Sequence, residues 1–140
     1  MTASHYNNII QWTASNLNFP DSTNSYIITK AIFNNYGVPF PSGGCENALR
    51  TLLSGDYMGW SACSAAQAQE VANQGIAAIG LCNSYVIVIK PESKAVIIGN
   101  TVSNTSSNQF LQTIGEMPDE EKRTINFFAY TFIPNEEIIN

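Results

Sequence analysis

Few residues in this sequence can do acid–base or nucleophilic chemistry. There is one histidine, His5, in the polar segment Met1-Thr2-Ala3-Ser4-His5-Tyr6-Asn7-Asn8. It has no acidic neighbour and reads as a solvated imidazole. With no second histidine, most dyad and triad mechanisms lack a general base. The three cysteines, Cys45, Cys63 and Cys82, allow at most one internal disulfide, and the sequence does not fix which pair forms it. They make no CxxC and no Cys/His cluster, so a structural zinc site is not expected. They read as three semi-buried thiols. Glu116, Asp119, Glu120 and Glu121 adjoin Lys122 and Arg123, a pattern of a solvated helical turn rather than a paired-carboxylate site. Asp56 and Glu70 are isolated. Gly43-Gly44 is not followed by Lys-Ser/Thr, so no phosphate-cradling loop is present. Neither a metal nor a cofactor is expected.

The remaining chemical position is a helix start at Ser25. A side chain in the first turn of a helix meets the positive end of the macrodipole and free backbone N–H groups. A cysteine there would be acidified and nucleophilic. A serine gains much less, because its hydroxyl is a far weaker acid and needs a strong base nearby. On its own terms Ser25 reads as a capping residue. Cys45, after Gly43-Gly44 and before another helix, is a second candidate nucleophile.

The elements that must position these residues follow from periodicity. A short helix is expected near Tyr6–Asn16, with Ile9, Ile10 and Trp12 as its apolar residues. The capping cluster Asp21-Ser22-Thr23-Asn24 precedes Ile27, Ile28, Ala31, Ile32 and Tyr36, which recur at helical spacing. Gly37 and Pro39 stop that helix. Pro39-Phe40-Pro41-Ser42-Gly43-Gly44 is a turn. Another helix is expected at about Cys45–Leu53 with Ala48, Leu49, Leu52 and Leu53 inward. One more covers about Ser64–Asn73, with Gly75 as its C-cap. Then come β-branched runs at Ile76–Leu81, Tyr85–Lys90 and Ala95–Gly99, the last two joined as a hairpin by Pro91-Glu92-Ser93-Lys94. The polar stretch Asn100–Gln109 reads as an exposed loop, and its Asn104-Thr105-Ser106 is a glycosylation sequon only in a eukaryotic secretory setting. A last strand is expected at about Thr124–Phe132. Helices first and strands after indicate an α+β domain, residues 1–140, with helices packed on an antiparallel sheet.

Composition bounds the partners. The chain has 140 residues, 44% hydrophobic and 11% aromatic, enough for one domain with a proper core. Net charge is −5 with six basic residues, and the isoelectric point is near 4.6. That argues against nucleic acid, whose affinity comes largely from phosphate contacts. No apolar run is long enough for a membrane span, and no signal peptide is visible at the N-terminus. Localisation stays open between the cytoplasm and export by a signal-independent route. Charged residues make up only 12%, against roughly 25% in ordinary soluble domains. A surface of Asn, Ser, Thr and Gln repels copies of itself weakly, which leaves homo-oligomerisation open.

The order of segments resembles the small NlpC/P60-type, papain-like peptidoglycan amidases of the kind delivered by bacterial type VI secretion. In that family an Asn-Cys pair opens a helix that ends in a Gly-Val-Pro-x-Pro turn. The matching stretch here is Asn24-Ser25 through Tyr36, then Gly37-Val38-Pro39-Phe40-Pro41. The family's A-x-x-A-x-x-G helix is matched by Ala65-Ala66-Gln67-Ala68-Gln69-Glu70-Val71-Ala72-Asn73-Gln74-Gly75, and the following strand by Ile76–Leu81. The next family strand begins Gly-His, where this chain has Ser84-Tyr85-Val86-Ile87-Val88-Ile89. The Asn/Ser-rich loop and the aromatic strand Asn126-Phe127-Phe128-Ala129-Tyr130 also fit. The likeness covers about residues 20–132.

The resemblance implies a papain-like fold with the nucleophile helix packed on the strand that carries the histidine. It also implies that the catalytic positions are Ser25, where the family has its cysteine, and Tyr85, where it has its histidine. The family's thiolate attacks a stem-peptide amide while the imidazole takes and returns a proton. A phenol with an ordinary pKa of about 10 is a poor base for a serine, and losing either partner alone commonly costs several orders of magnitude in rate. Three readings follow. The first is an inactive homologue used for binding a cell-wall fragment or a protein partner, or for assembly. The second is an active amidase using Ser25 or Cys45, or a chain whose nucleophilic cysteine has been exchanged for Ser25, which would not account for Tyr85. The third is a self-assembling structural or storage protein.

Overall fold

The structure, a computed structural model, describes residues 2–16, 25–55, 57, 59–83, 86–91, 95–98, 111–113 and 124–130. Three helices come first: α1 (Ala3–Asn16), α2 (Ser25–Tyr36) and α3 (Gly44–Ser54). They are followed by β1 (Trp60–Cys63), α4 (Ala65–Ala72), β2 (Ala78–Leu81), β3 (Val86–Ile89), β4 (Ala95–Ile98), β5 (Leu111–Thr113) and β6 (Asn126–Tyr130). The strands form one antiparallel sheet in the order β1-β6-β2-β3-β4-β5. The class is α+β with an antiparallel sheet. No helix among the described residues is long and apolar enough to cross a membrane.

The centre of the sheet reads in sequence as continuous apolar runs, and β2 and β3 are buried at every position. Strands buried on alternate residues alike have both faces covered. The core joins Tyr6 and Ile10 of α1, Ile28, Ile32, Phe33 and Tyr36 of α2, the inner residues of α3 and α4, and these strands. Two differences from the expected elements have local causes. Strand β1, Trp-Ser-Ala-Cys, has no period-2 apolar pattern. It is a strand because β6 pairs with it, Trp60 opposite Tyr130 and Cys63 opposite Phe127. Leu53, expected inward, is 58% exposed, because α3 buries only Ala48, Leu49 and Leu52.

Helix α1 begins three residues earlier than its apolar residues suggest, since Thr2 Oγ1 accepts from the His5 N–H. Trp12 lies outward at 60% exposure. Helix α4 starts with a capping box, in which Ser64 and Gln67 satisfy each other's backbone N–H. Its C-cap is Asn73 rather than Gly75. Gly75 makes the left-handed turn beyond, at φ +89°, and a Cβ there would lie 2.5 Å from the Thr2 carbonyl carbon. Only glycine lets the start of α1 come this close.

Candidate functional site

Helix α2 carries the site at its first residue. Its twelve residues advance the chain about 16 Å away from Ser25, and the following segment brings it back. Gly37, at φ +78°, turns the chain. The Val38 N–H donates to Phe33 O at 2.9 Å. Lys30 Nζ donates to Phe40 O and the Tyr26 hydroxyl to Pro41 O, both at 2.7 Å. Phe33, Lys30 and Tyr26 succeed one another toward the start of α2, so residues 38–41 run antiparallel along the helix. The Trp60 indole holds the same segment through Pro39 O at 2.8 Å. Two left-handed glycines, Gly43 at φ +95° and Gly44 at φ +87°, then start α3. The return path ends where α2 began, and Cys45 arrives at Ser25.

Ser25 is 2% exposed. The Val86 N–H, at the first residue of β3, donates to its Oγ at 3.0 Å. The Cys45 thiol lies near enough for the Ser25 hydroxyl to favour its ionised form. The Ser25 hydroxyl ties the start of α2 to the start of β3. Cys82 joins the group. It directly follows Leu81, which pairs with Val86 across β2 and β3.

The electrostatics of Cys45 decide its chemistry. As the second residue of α3 it sits among free helix N–H groups, which favour a thiolate. Burial acts the other way and wins. It pushes the thiol up from the ordinary 9.0, the Ser25 hydrogen bond pulls it partly back, the neighbouring Cys82 adds to the rise, and the result is about 11. At neutral pH a thiol of this acidity is ionised in only about one molecule in ten thousand. The Tyr26 phenol lies beside the same helix start and is also raised, first by burial.

Of the sequence-derived positions, Ser25 and Cys45 stood as rivals and prove to be neighbours. Tyr85, Asn24, the polar stretch 100–109 and the acidic run 116–123 lie outside the described residues. His5 is exposed on α1, with its ring 5.4 Å from that of Tyr36. It therefore sits at the far end of α2 from Ser25. Cys82 is the member that sequence reasoning missed. Its position just after a buried strand was readable, but which helix start faced that strand end was not. Cys63 stands apart, on β1. Among the described residues, no group of three or more His, Cys, Asp or Glu could hold a metal ion.

Concavities lined by described residues lie elsewhere on the fold. One, of about 210 Å³, lies between α2 and the return segment at Lys30, Asn34, Val38, Pro39, Phe40 and Tyr57. The other, of about 250 Å³, lies beside β1 and α4 at Cys63, Gln67, Glu70 and Val71. Neither includes Ser25. Comparison with protein-family models gives no match, and no curated protein matches the chain.

Proposed function

We propose that this chain is a catalytically inactive homologue of the NlpC/P60-type, papain-like peptidoglycan amidases, retained for binding or assembly. The observation that carries the reading is the environment of Ser25. It opens a buried helix against the first residue of β3, as the family's nucleophile helix meets its histidine strand. Yet among the described residues no base faces its hydroxyl, and its neighbour Cys45 stays a thiol at neutral pH. The only imidazole in the sequence lies beside the Tyr36 ring, eleven residues along α2 and so about 16 Å away. A buried serine without a base does not attack an amide. Cys45 is no better placed, since burial keeps it a thiol.

The low charged fraction fits a surface that touches other molecules without strong repulsion, whether a cell-wall fragment, a protein or a second copy. The test is incubation with purified peptidoglycan fragments and mass spectrometry of the products. No cleavage is expected at enzyme-like rates. Cleavage that disappears in Ser25→Ala or Cys45→Ala would establish an active hydrolase instead. In the opposite direction, Ser25→Cys together with Tyr85→His should create amidase activity. An inert double variant that folds as the parent does would remove the assignment of the two positions.

A further inference from the structure

Helix α2 and the segment that returns along it leave between them the cavity of about 210 Å³. Its lining divides by chemistry. Val38, Pro39 and Phe40 are apolar, while Lys30, Asn34 and Tyr57 bring an ammonium, an amide and a phenol. Lys30 and Asn34 are four residues apart on α2, which puts them on one face of the helix. No acidic side chain lines the cavity, so the Lys30 ammonium sets its charge. An ammonium has three protons to donate, and the bond to Phe40 O uses one. Tyr57 remains a neutral phenol, because burial first, and then the nearby Tyr130 and Tyr26, raise it above its usual pKa. It therefore keeps its proton as a donor.

The apolar part of the lining is fixed in place at successive residues. The Val38 N–H donates to Phe33 O at 2.9 Å, Pro39 O accepts from the Trp60 indole at 2.8 Å, and Phe40 O accepts from Lys30 at 2.7 Å. The Phe40 ring packs among those of Phe33, Trp60 and Tyr26, with centroids 5.7, 6.0 and 6.0 Å away. A preformed wall spares a ligand the cost of ordering it. We propose that this cavity binds a small monocarboxylate with an apolar body, its carboxylate on Lys30, Asn34 and Tyr57 and its hydrocarbon against Val38, Pro39 and Phe40. The single ammonium suits one negative charge, and the apolar residues contribute nothing to inorganic phosphate, which favours water. At about 30 Å³ per water in the liquid, a ligand here displaces about seven waters, so a body of about seven to nine heavy atoms fills the space. The concavity beside β1 and α4 has Glu70 as its charged lining residue and disfavours the same ligand. The site is separate from Ser25, and its readout uses no cell-wall fragment, so it stands or falls apart from the amidase assignment.

The full isotope-labelled chain is titrated with sodium pentanoate, a free short acid, and with N-acetylalanine, a chain-terminal carboxylate, and its amide resonances are followed by NMR. Saturable shifts are expected at Lys30, Asn34, Val38, Phe40 and Tyr57, with a dissociation constant on the order of 1 mM, ordinary for so small a ligand. Binding of either acid supports the proposal, and the tighter one names the source of the carboxylate. Pentanol keeps the hydrocarbon without the charge and should bind at least about tenfold more weakly. Phosphate keeps charge without hydrocarbon and should also bind more weakly than pentanoate. Added salt should weaken pentanoate and leave pentanol unchanged. Lys30→Gln keeps a donor for Phe40 O and should lower pentanoate affinity about tenfold, and Tyr57→Phe should lower it about threefold to tenfold. The proposal is overturned if these residues show no saturable shift up to about 100 mM of either acid. It is also overturned if the shifts fall instead at Ser61, Cys63, Gln67 and Glu70, or if pentanol or phosphate binds as tightly as pentanoate. The ligand comparisons need only the parent chain, so they decide the matter even where a variant does not fold.

Discussion

The two ends of α2 do the same structural work with different residues. At the C-terminal end the Tyr36 hydroxyl donates to Gly75 O at 2.6 Å, and the Tyr6 hydroxyl accepts from the Ala78 N–H at 3.2 Å. Their rings stand 4.8 Å apart. At the N-terminal end Ser25 accepts from the Val86 N–H. Each contact satisfies a backbone group at or just before a central strand, where an unpaired polar atom would be costly. The aromatic end does this with large rings that also fill the core. The serine end does it with a single small hydroxyl, with Cys45 beside it.

The sharpest way to break the comparison is to truncate both ends. Tyr36→Ala removes a buried ring and strands the Gly75 carbonyl, and should cost about 3–5 kcal/mol. Tyr36→Phe keeps the ring and should cost about 1–2 kcal/mol. Ser25→Ala empties little volume but leaves the Val86 N–H unsatisfied, at about 1–3 kcal/mol. Urea unfolding of the three variants measures the ranking. A Ser25→Ala chain as damaged as Tyr36→Ala would mean that the serine end is also a packing keystone.

A smaller effect separates the ends by pH. A folded Cys45 at about 11 against an ordinary 9.0 means that the folded chain holds its proton where the unfolded chain releases it. Stability from this group is therefore complete below about pH 9 and is lost as pH rises toward 11. With the thiol only half-buried, screening reduces the loss to about 1–2 kcal/mol. Tyr6, raised by burial, adds its own alkaline loss at the other end. Unfolding midpoints measured across this range should fall less steeply in Cys45→Ala than in the parent. Equal slopes would place Cys45 in water.

The fold class was legible because its signals are local. Helical spacing gave α2 and α3, Gly37 and Pro39 gave the stop of α2, and the apolar runs at β2 and β3 gave the sheet centre. Strands β1 and β5 were not legible, since their conformation comes from partners distant in sequence. The site was legible in half. Ser25 at a helix start follows from capping chemistry. Its contact with Cys45 depends on a return path made by Gly37, Pro39, Pro41 and two left-handed glycines, whose end point no periodicity states. Nor does any periodicity state the strand order, which places β6 between β1 and β2 and so separates Cys63 from Cys82.

Between the two ends of α2 lies a position that keeps neither bargain. Thr29, one turn after Ser25, is fully buried, and its hydroxyl has no partner among the described residues. An isolated hydroxyl in such a place costs about 1–3 kcal/mol, and β-branching already suits valine to the same shape. Thr29→Val should therefore stabilise the chain by about 1 kcal/mol, the opposite sign from Ser25→Ala one turn away. Urea unfolding distinguishes the two cases. A stabilised Thr29→Val would show that α2 holds a hydroxyl of no structural value one turn from Ser25. A destabilised variant would show that the Thr29 hydroxyl has a partner, and that the middle of α2 is built like its ends.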